Sequence, residues 1–190
     1  MKHTEVRLAG EGGQGVILGS VILAEAAAVY DNKKVVQTQS YGPESRGGAS
    51  KSEVIISEEE IDYPKVQAPD VVLVMSEEAA LKYTRDLKPT AILVVDSTMV
   101  SEIPKTKVRT VCVPITQIAR ERVGREIVAN IVGLGVLVGL TGVVSREALT
   151  KAVMARVPKG TEEINIKALE AGFAIAQETD DAGAGVERGS

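Results

Sequence analysis

The chain has 190 residues, 44% of them hydrophobic and only 3% aromatic, with no tryptophan; that length suits one domain able to bury a full core. A formal net charge of -4 and the scarcity of stacking rings give nucleic-acid binding no physical support. The single cysteine, Cys112, excludes an internal disulfide and a four-thiolate iron–sulfur cluster held by this chain alone, and the single histidine, His3, leaves no material for a histidine-based metal site or a Ser/His/Asp triad.

In chain order, Val6 to Ala9 reads as a first strand running into Gly10-Glu11-Gly12-Gly13-Gln14-Gly15, and Val16 to Tyr30 as a helix. Lys34 to Thr38 reads as a second strand, Gln39 to Ser50 as a Gly-, Ser- and Pro-dense loop, and Lys51 to Ser57 as an alternating strand before the acidic turn Glu58-Glu59-Glu60, read as solvated rather than metal-binding. The apolar run Asp70 to Val74 predicts a buried strand, Glu77 to Leu87 a helix stopped by Pro89, Ala91 to Val95 a strand ending at Asp96, and Val108 to Val113 the last strand. After Pro114 the pattern is helical almost throughout, with helix starts at Ser145-Arg146-Glu147 and Thr161-Glu162-Glu163.

Ile127 to Val144 is broken by Asn130, four glycines and Thr141, so it reads as a buried helix rather than a membrane span. The start carries no secretory pattern. A cytoplasmic setting is expected. Strands alternating with helices, in an aliphatic and β-branched composition, predict an α/β fold. The expected form is a single three-layer α/β/α domain with a mainly parallel sheet, a Rossmann-like start and a helical C-terminal part. It spans residues 1–178, with 179–190 as a flexible tail.

Gly10, Gly12 and Gly15 satisfy G-x-G-x-x-G between a strand and a helix. Glycines permit a tight turn and close backbone approach, and the following helix N-terminus offers N–H groups to a phosphate. A nicotinamide site also wants an acidic residue after the second strand. Val35-Val36-Gln37-Thr38 has none, and Asp31 precedes that strand. An equally physical reading is that the glycines only allow a tight strand–helix crossing.

The second informative segment is Gln39 to Gly48. It leaves the second strand at the edge where open α/β sheets bind ligands. Arg46 can grip a phosphate or carboxylate bidentately, Gly47 and Gly48 can bring N–H groups close, and Tyr41 can stack or donate. An ordered surface loop with Arg46 paired to Glu44 is the plainer alternative. Asp96 and Ser97 either line the cleft or cap a helix, Asn130 and Asn165 read as buried hydrogen-bonding anchors, and Cys112 as core.

The wording Gly10-Glu11-Gly12-Gly13-Gln14-Gly15-Val16, then Gln37 to Gly48, then Ser52 to Ser57, resembles the gamma subunit of 2-oxoacid:ferredoxin oxidoreductases. Ala129 to Gly135, and Glu163 to Ala168 with Gly172, resemble it too, so the likeness runs from about Glu5 to Gln177. Gln37 to Ser40 and Ile61-Asp62-Tyr63-Pro64 look most like the 2-oxoglutarate branch (2-oxoglutarate synthase).

The resemblance implies a non-autonomous subunit of a complex that oxidatively decarboxylates a 2-oxoacid, transfers the acyl group to coenzyme A and passes electrons to ferredoxin. It implies thiamine diphosphate on alpha and beta subunits, iron–sulfur clusters on beta and delta subunits, and coenzyme A at this chain's edge. Joined with the loop chemistry, it makes Gly10, Gly12, Gly13, Gln14, Gly15, Tyr41, Glu44, Arg46, Gly47 and Gly48 the candidate cofactor-binding residues, with no catalytic acid/base and no metal ligand among them.

The rivals are an independent dinucleotide-binding oxidoreductase and a structural subunit that binds no ligand. Indolepyruvate oxidation shares the same coenzyme A logic. Ile127, Ile131 and Leu134 are expected in either core or interface, and an exposed apolar partner surface would make the isolated chain a homodimer.

Overall fold

The computed structural model describes residues 3–40 and 48–186, with side chains through residue 181. Six strands form one sheet: β1 (His3–Glu11), β2 (Lys34–Ser40), β3 (Ala49–Ser57), β4 (Val71–Val74), β5 (Ile92–Asp96) and β6 (Arg109–Val113), in the order β2-β3-β1-β4-β5-β6. The β1–β4, β4–β5 and β5–β6 ladders are parallel; β3 pairs antiparallel with both β1 and β2. Only β3 therefore runs against the rest, and the mainly parallel expectation holds. A Rossmann start would put β2 beside β1; here β3 is inserted between them.

The helices are α1 (Val16–Glu25), α2 (Glu77–Tyr83), α3 (Ile115–Ile118), α4 (Ala129–Thr141), α5 (Arg146–Arg156) and α6 (Glu162–Val186). Strand alternation sorts the core into two faces. Val6, Leu8, Val54, Leu73 and Val94 face α1 and α4, with α5 and α6 packed beyond; Ala9, Val72, Val74, Leu93 and Val95 face α2. Every residue of α4 from Ala129 to Val138 is buried, because this helix lies between the sheet and α6. The long apolar run is thus the centre of the domain, and no helix among the described residues is long and apolar enough to cross a membrane.

Several expected boundaries move. The first helix stays α-helical only to Glu25 and then widens into a π-helical turn, Ala26–Tyr30. The helix after β4 ends at Tyr83, well before Pro89. The C-terminal helical half is divided by Gly124 (φ 92) and Gly142 (φ 61), and again by Pro158 and Gly160 (φ 86), positive φ values being cheap only for glycine. Helix α6 runs from Glu162 to Val186. Cys112, expected in the core, is exposed. It lies on the outermost strand, on the face that α2 covers over β1, β4 and β5, whereas its neighbours Val111 and Val113 point to the other face and are buried.

One buried ion cluster went unread in the sequence. Arg7, 2% exposed, donates from Nε to Glu53 at 2.7 Å, from Nη1 and Nη2 to Asp86 at 2.5 and 2.9 Å, and from Nη1 to the Tyr83 carbonyl at 3.0 Å. The cluster ties the end of α2 to β1 and β3. The hydrogen bond from Arg7 holds the Asp86 carboxyl below its usual range. Burial pulls the Arg7 guanidinium down, and hydrogen bonds to Asp86 and Glu53 more than offset that.

Candidate functional site

β1, β2, β4, β5 and β6 point the same way, so their carboxyl ends share one edge. The chain leaves β1 toward β2 on one side and reaches β4 on the other. The crevice between β1 and β4 is therefore the topological switch point, where sheets of this kind place ligands. The glycine loop lies over it. The register Gly10↔Ser50 and Glu11↔Ala49 brings the start of β3 beside the loop, as does the Ser50 Oγ donation to the Gly10 carbonyl at 3.3 Å. The segment joining β2 to β3 thus begins and ends at the same edge. Of the residues singled out in it, Gly48 is described; Tyr41, Glu44, Arg46 and Gly47 lie outside the described residues.

The glycines divide by role. A Cβ on Gly10 would meet Gln14 Oε1 at 2.5 Å and Val16 Cγ1 at 3.0 Å, and one on Gly15 (φ 72) would meet Asn130 Nδ2 at 2.6 Å. These two are needed for packing and backbone shape. Around Gly12 and Gly13 (φ 93) an added Cβ meets nothing within 4 Å among the described residues, which leave their backbone open to a visitor.

Gln14 is a brace. Its Oε1 accepts from the Glu11 N–H at 2.7 Å and its Nε2 donates to the Met75 carbonyl just past β4 at 2.7 Å, so it ties the loop across the crevice. Asn130, 5% exposed, does the same from α4, donating from Nδ2 to the Gly15 carbonyl at 3.1 Å. Beneath α1, Ser20 and Ser52 hydroxyls lie 2.5 Å apart, and Gln37 Nε2 donates to both at 3.1 and 2.9 Å, locking the helix to the β2–β3 hairpin. Gln37 is thus occupied inside the fold, and β2 ends in Ser40 with no acidic residue from Lys34 onward.

A cleft of about 700 Å³ opens beside Gly13 and Gly15, walled by α1, α4, the start of α6 and the turn before α4. That size is in the range of small-molecule sites. Leu18, Ile127, Ile131 and Ile164 supply apolar wall, and Arg125 and Lys167 are its cations. Asn165, 6% exposed, donates from Nδ2 to the Thr161 carbonyl at 2.8 Å and holds the first turn of α6. The gathering of residues near 13, 130 and 165 is invisible to local pattern reading; the one available signal was an asparagine inside each of two apolar helices. A smaller pocket of about 270 Å³ lies on the other side of Gly13, with Gln14, Met75, Met99 and Ile127 in its wall.

Asp96 is completely buried and accepts from the Thr98 N–H at 3.0 Å, the Thr116 N–H at 3.2 Å and the Thr116 hydroxyl at 2.5 Å. It shapes the edge by fixing the loops after β5 and β6. Glu77 fixes the next stretch, accepting from the Ser101 N–H at 2.7 Å and the Ser101 hydroxyl at 3.0 Å, which holds its carboxyl below the usual range. As anticipated for buried anchors, Asn130 and Asn165 are held by hydrogen bonds. Ile131 and Leu134 are core at 1% and 0% exposure, and Ile127 stands 80% exposed.

An open α/β sheet with a braced glycine loop at its switch point and a ligand-sized cleft beside it is the arrangement in which doubly wound α/β proteins take ligands. The profile of the pyruvate ferredoxin/flavodoxin oxidoreductase family matches residues 5–175, and the chain belongs to that family, in its gamma-subunit form. It is 53% identical over 176 residues to 2-oxoglutarate synthase subunit KorC of Methanocaldococcus jannaschii, covering 92% of this chain and 94% of the relative.

Among solved structures, the gamma subunit of a keto/oxoacid ferredoxin oxidoreductase from Geobacter sulfurreducens superposes with a TM-score of 0.84 at 51% identity, over 92% of this chain and 99% of that one. The same fold recurs in 2-oxoglutarate:ferredoxin oxidoreductase from Magnetococcus marinus, solved with 2-oxoglutarate, coenzyme A and succinyl-CoA. There the TM-score is 0.82 at 24% identity, over 94% of this chain but 32% of the longer one.

Proposed function

We propose that this chain is the gamma subunit of a cytoplasmic complex with alpha, beta and delta subunits that converts 2-oxoglutarate, coenzyme A and two oxidised ferredoxins into succinyl-CoA, CO2, two reduced ferredoxins and a proton. The observation that carries the substrate is the 53% identity, nearly end to end, with a 2-oxoglutarate synthase subunit. Thiamine diphosphate and iron–sulfur clusters, held by partner subunits, supply the decarboxylation and electron-carrying chemistry when bound. The contribution of this chain is positioning.

The chemistry of the edge fits coenzyme A. The open backbone at Gly12 and Gly13 and the N-terminus of α1 suit a phosphate, and Arg46, Gly47 and Gly48 of the neighbouring segment are the residue types that would add a bidentate grip and N–H groups. The cleft beside them has apolar walls for the uncharged arm and Arg125 and Lys167 for its anionic end. Tyr41 and Glu44 are the remaining candidates of that segment, Tyr41 as a stacking or donating ring. Oriented there, the thiol meets the acyl group at the partner's reaction centre.

Arg46→Ala removes a charge-assisted contact worth about 1.5–3 kcal/mol, so the KM for coenzyme A in viologen reduction by the assembled complex should rise on the order of tenfold to a hundredfold. Decarboxylation of 2-oxoglutarate without coenzyme A, followed as CO2 release in a single turnover, should stay near the wild-type rate. Loss of both half-reactions together would make Arg46 a structural or interface residue instead.

A further inference from the structure

Asn130 on α4 and Asn165 on the first turn of α6 are buried, at 5% and 6% exposure, and both line the larger cleft. Each spends its amide nitrogen on the protein itself. Asn130 Nδ2 donates to the Gly15 carbonyl at 3.1 Å, and Asn165 Nδ2 to the Thr161 carbonyl at 2.8 Å and the Thr161 hydroxyl at 3.1 Å. A carbonyl can only accept, so these contacts fix which end of each amide is the oxygen. Neither carbonyl depends on its asparagine. That of Gly15 already accepts the Gly19 N–H at 2.9 Å, and that of Thr161 the Asn165 N–H at 3.1 Å.

Burying an amide side chain costs desolvation, and satisfying the main chain does not account for two of them on one cleft. What the contacts do achieve is to aim the amides. Neither Oδ1 has a hydrogen-bond partner among the described residues, where no fully buried side-chain oxygen or nitrogen goes unpartnered. Both oxygens are therefore reachable from outside, and the opening that both residues line is the cleft. The charged residues there, Arg125, Glu163 and Lys167, are exposed and belong to its rim.

We propose that the inner wall of the cleft is a subsite for paired N–H donors, in which Asn130 and Asn165 Oδ1 accept from the two secondary amides of the coenzyme A arm. The inference rests on the reading that coenzyme A binds at this edge, and it assigns which part of the ligand lies innermost. Phosphates offer amide oxygens no donor, so the anionic end stays at the rim. The arm carries its two amide N–H groups along an otherwise apolar chain, as the wall carries its two acceptors among Leu18, Val128, Ile131 and Ile164. The adenine ring fits the inner wall less well, because no aromatic side chain among the described residues lines the cleft to stack on it. The pair also selects: a ligand that fills the cleft without N–H donors leaves both oxygens desolvated and unpaired.

The test is titration calorimetry on the assembled complex with desulfo-coenzyme A, with its analogue in which methylenes replace both arm N–H groups, and with the adenosine bisphosphate half that has no arm. Wild type should prefer desulfo-coenzyme A to the methylene analogue by about tenfold or more. In Asn165→Ala and in Asn130→Ala, each lacking one of the two acceptors, the preference should fall to about threefold, and the adenosine half should bind as it does to wild type. The preference is a ratio of two ligands on one preparation, so a partly unfolded variant still reports it.

An unchanged preference in either variant would overturn the paired subsite. Weakened binding of the adenosine half would put the base on the inner wall and overturn it too. A loss of desulfo-coenzyme A affinity in Arg46→Ala alone would keep coenzyme A at this edge without the subsite. Wild-type affinity in Arg46→Ala and in both asparagine variants would place coenzyme A elsewhere in the complex and remove the underlying reading itself.

Discussion

Gln14 uses both ends of its amide on the main chain, accepting from Glu11 and donating to Met75 across the β1–β4 crevice. Its place inside a glycine motif marked it as a ligand-binding candidate, and the pattern could not tell a residue that touches a ligand from one that holds the loop. The distinction lies in a contact 61 positions away, which no local window contains. Gln14→Ala would leave an N–H and a carbonyl without their partner, a loss of about 1–3 kcal/mol. For a domain of this size each kcal/mol lowers Tm by about 2–4 °C. Calorimetry on the isolated chain should therefore show a drop of several degrees, and the assembled complex a raised KM for coenzyme A. An unchanged Tm would mean that the loop keeps its shape without the brace. Arg7 teaches a similar lesson: a strand residue between apolar neighbours looks solvent-facing until Glu53 and Asp86, far along the chain, are placed around it.

Among the elements, the strands and the starts of α5 and α6 were legible, and the breaks between the C-terminal helices were not. Buried runs such as Val71–Val74 and Ile92–Asp96 announce themselves because both faces of a central parallel strand are apolar. The reversed direction of β3 leaves no such mark, since its alternation is the same either way. In the helical half, the breaks at Gly124 and Gly142 depend on φ values of 92 and 61 that a glycine permits but does not announce. Other glycines there are for closeness: Gly135 and Gly172 let α4 and α6 touch backbone to backbone. A Cβ on Gly172 would collide with the Val132 carbonyl and lie 2.8 Å from Gly135 Cα. Helix propensity alone favours alanine over glycine by about 1 kcal/mol, whereas prising two packed helices apart costs about 3 kcal/mol. The clash should win, so Gly172→Ala should lower the urea midpoint of the isolated chain with an unchanged slope. A raised midpoint would mean that α6 slides to accommodate the methyl group.

For the whole molecule, the question is whether the sheet and the C-terminal helices are separable. One contiguous core joins Val6 and Leu8 of β1 to Ile131 and Leu134 of α4 and on to Ala168 and Leu169 of α6. Helix α4 is buried over its first ten residues because the sheet covers one side and α6 the other. Removing α6 would bare the side of α4 carrying Gly135 and Gly139, expose apolar surface that no polar face replaces, and remove the wall of the cleft that carries Asn165 and Lys167. A core shared this way should melt as a unit. The full chain is therefore expected to show one calorimetric transition with equal calorimetric and van't Hoff enthalpies, and a chain ending at Gly160 to show no cooperative melt and to aggregate. Two resolved transitions, or a cooperatively melting fragment, would mean that the sheet stands without its helical layer. In that case the cleft between them would be a seam able to open.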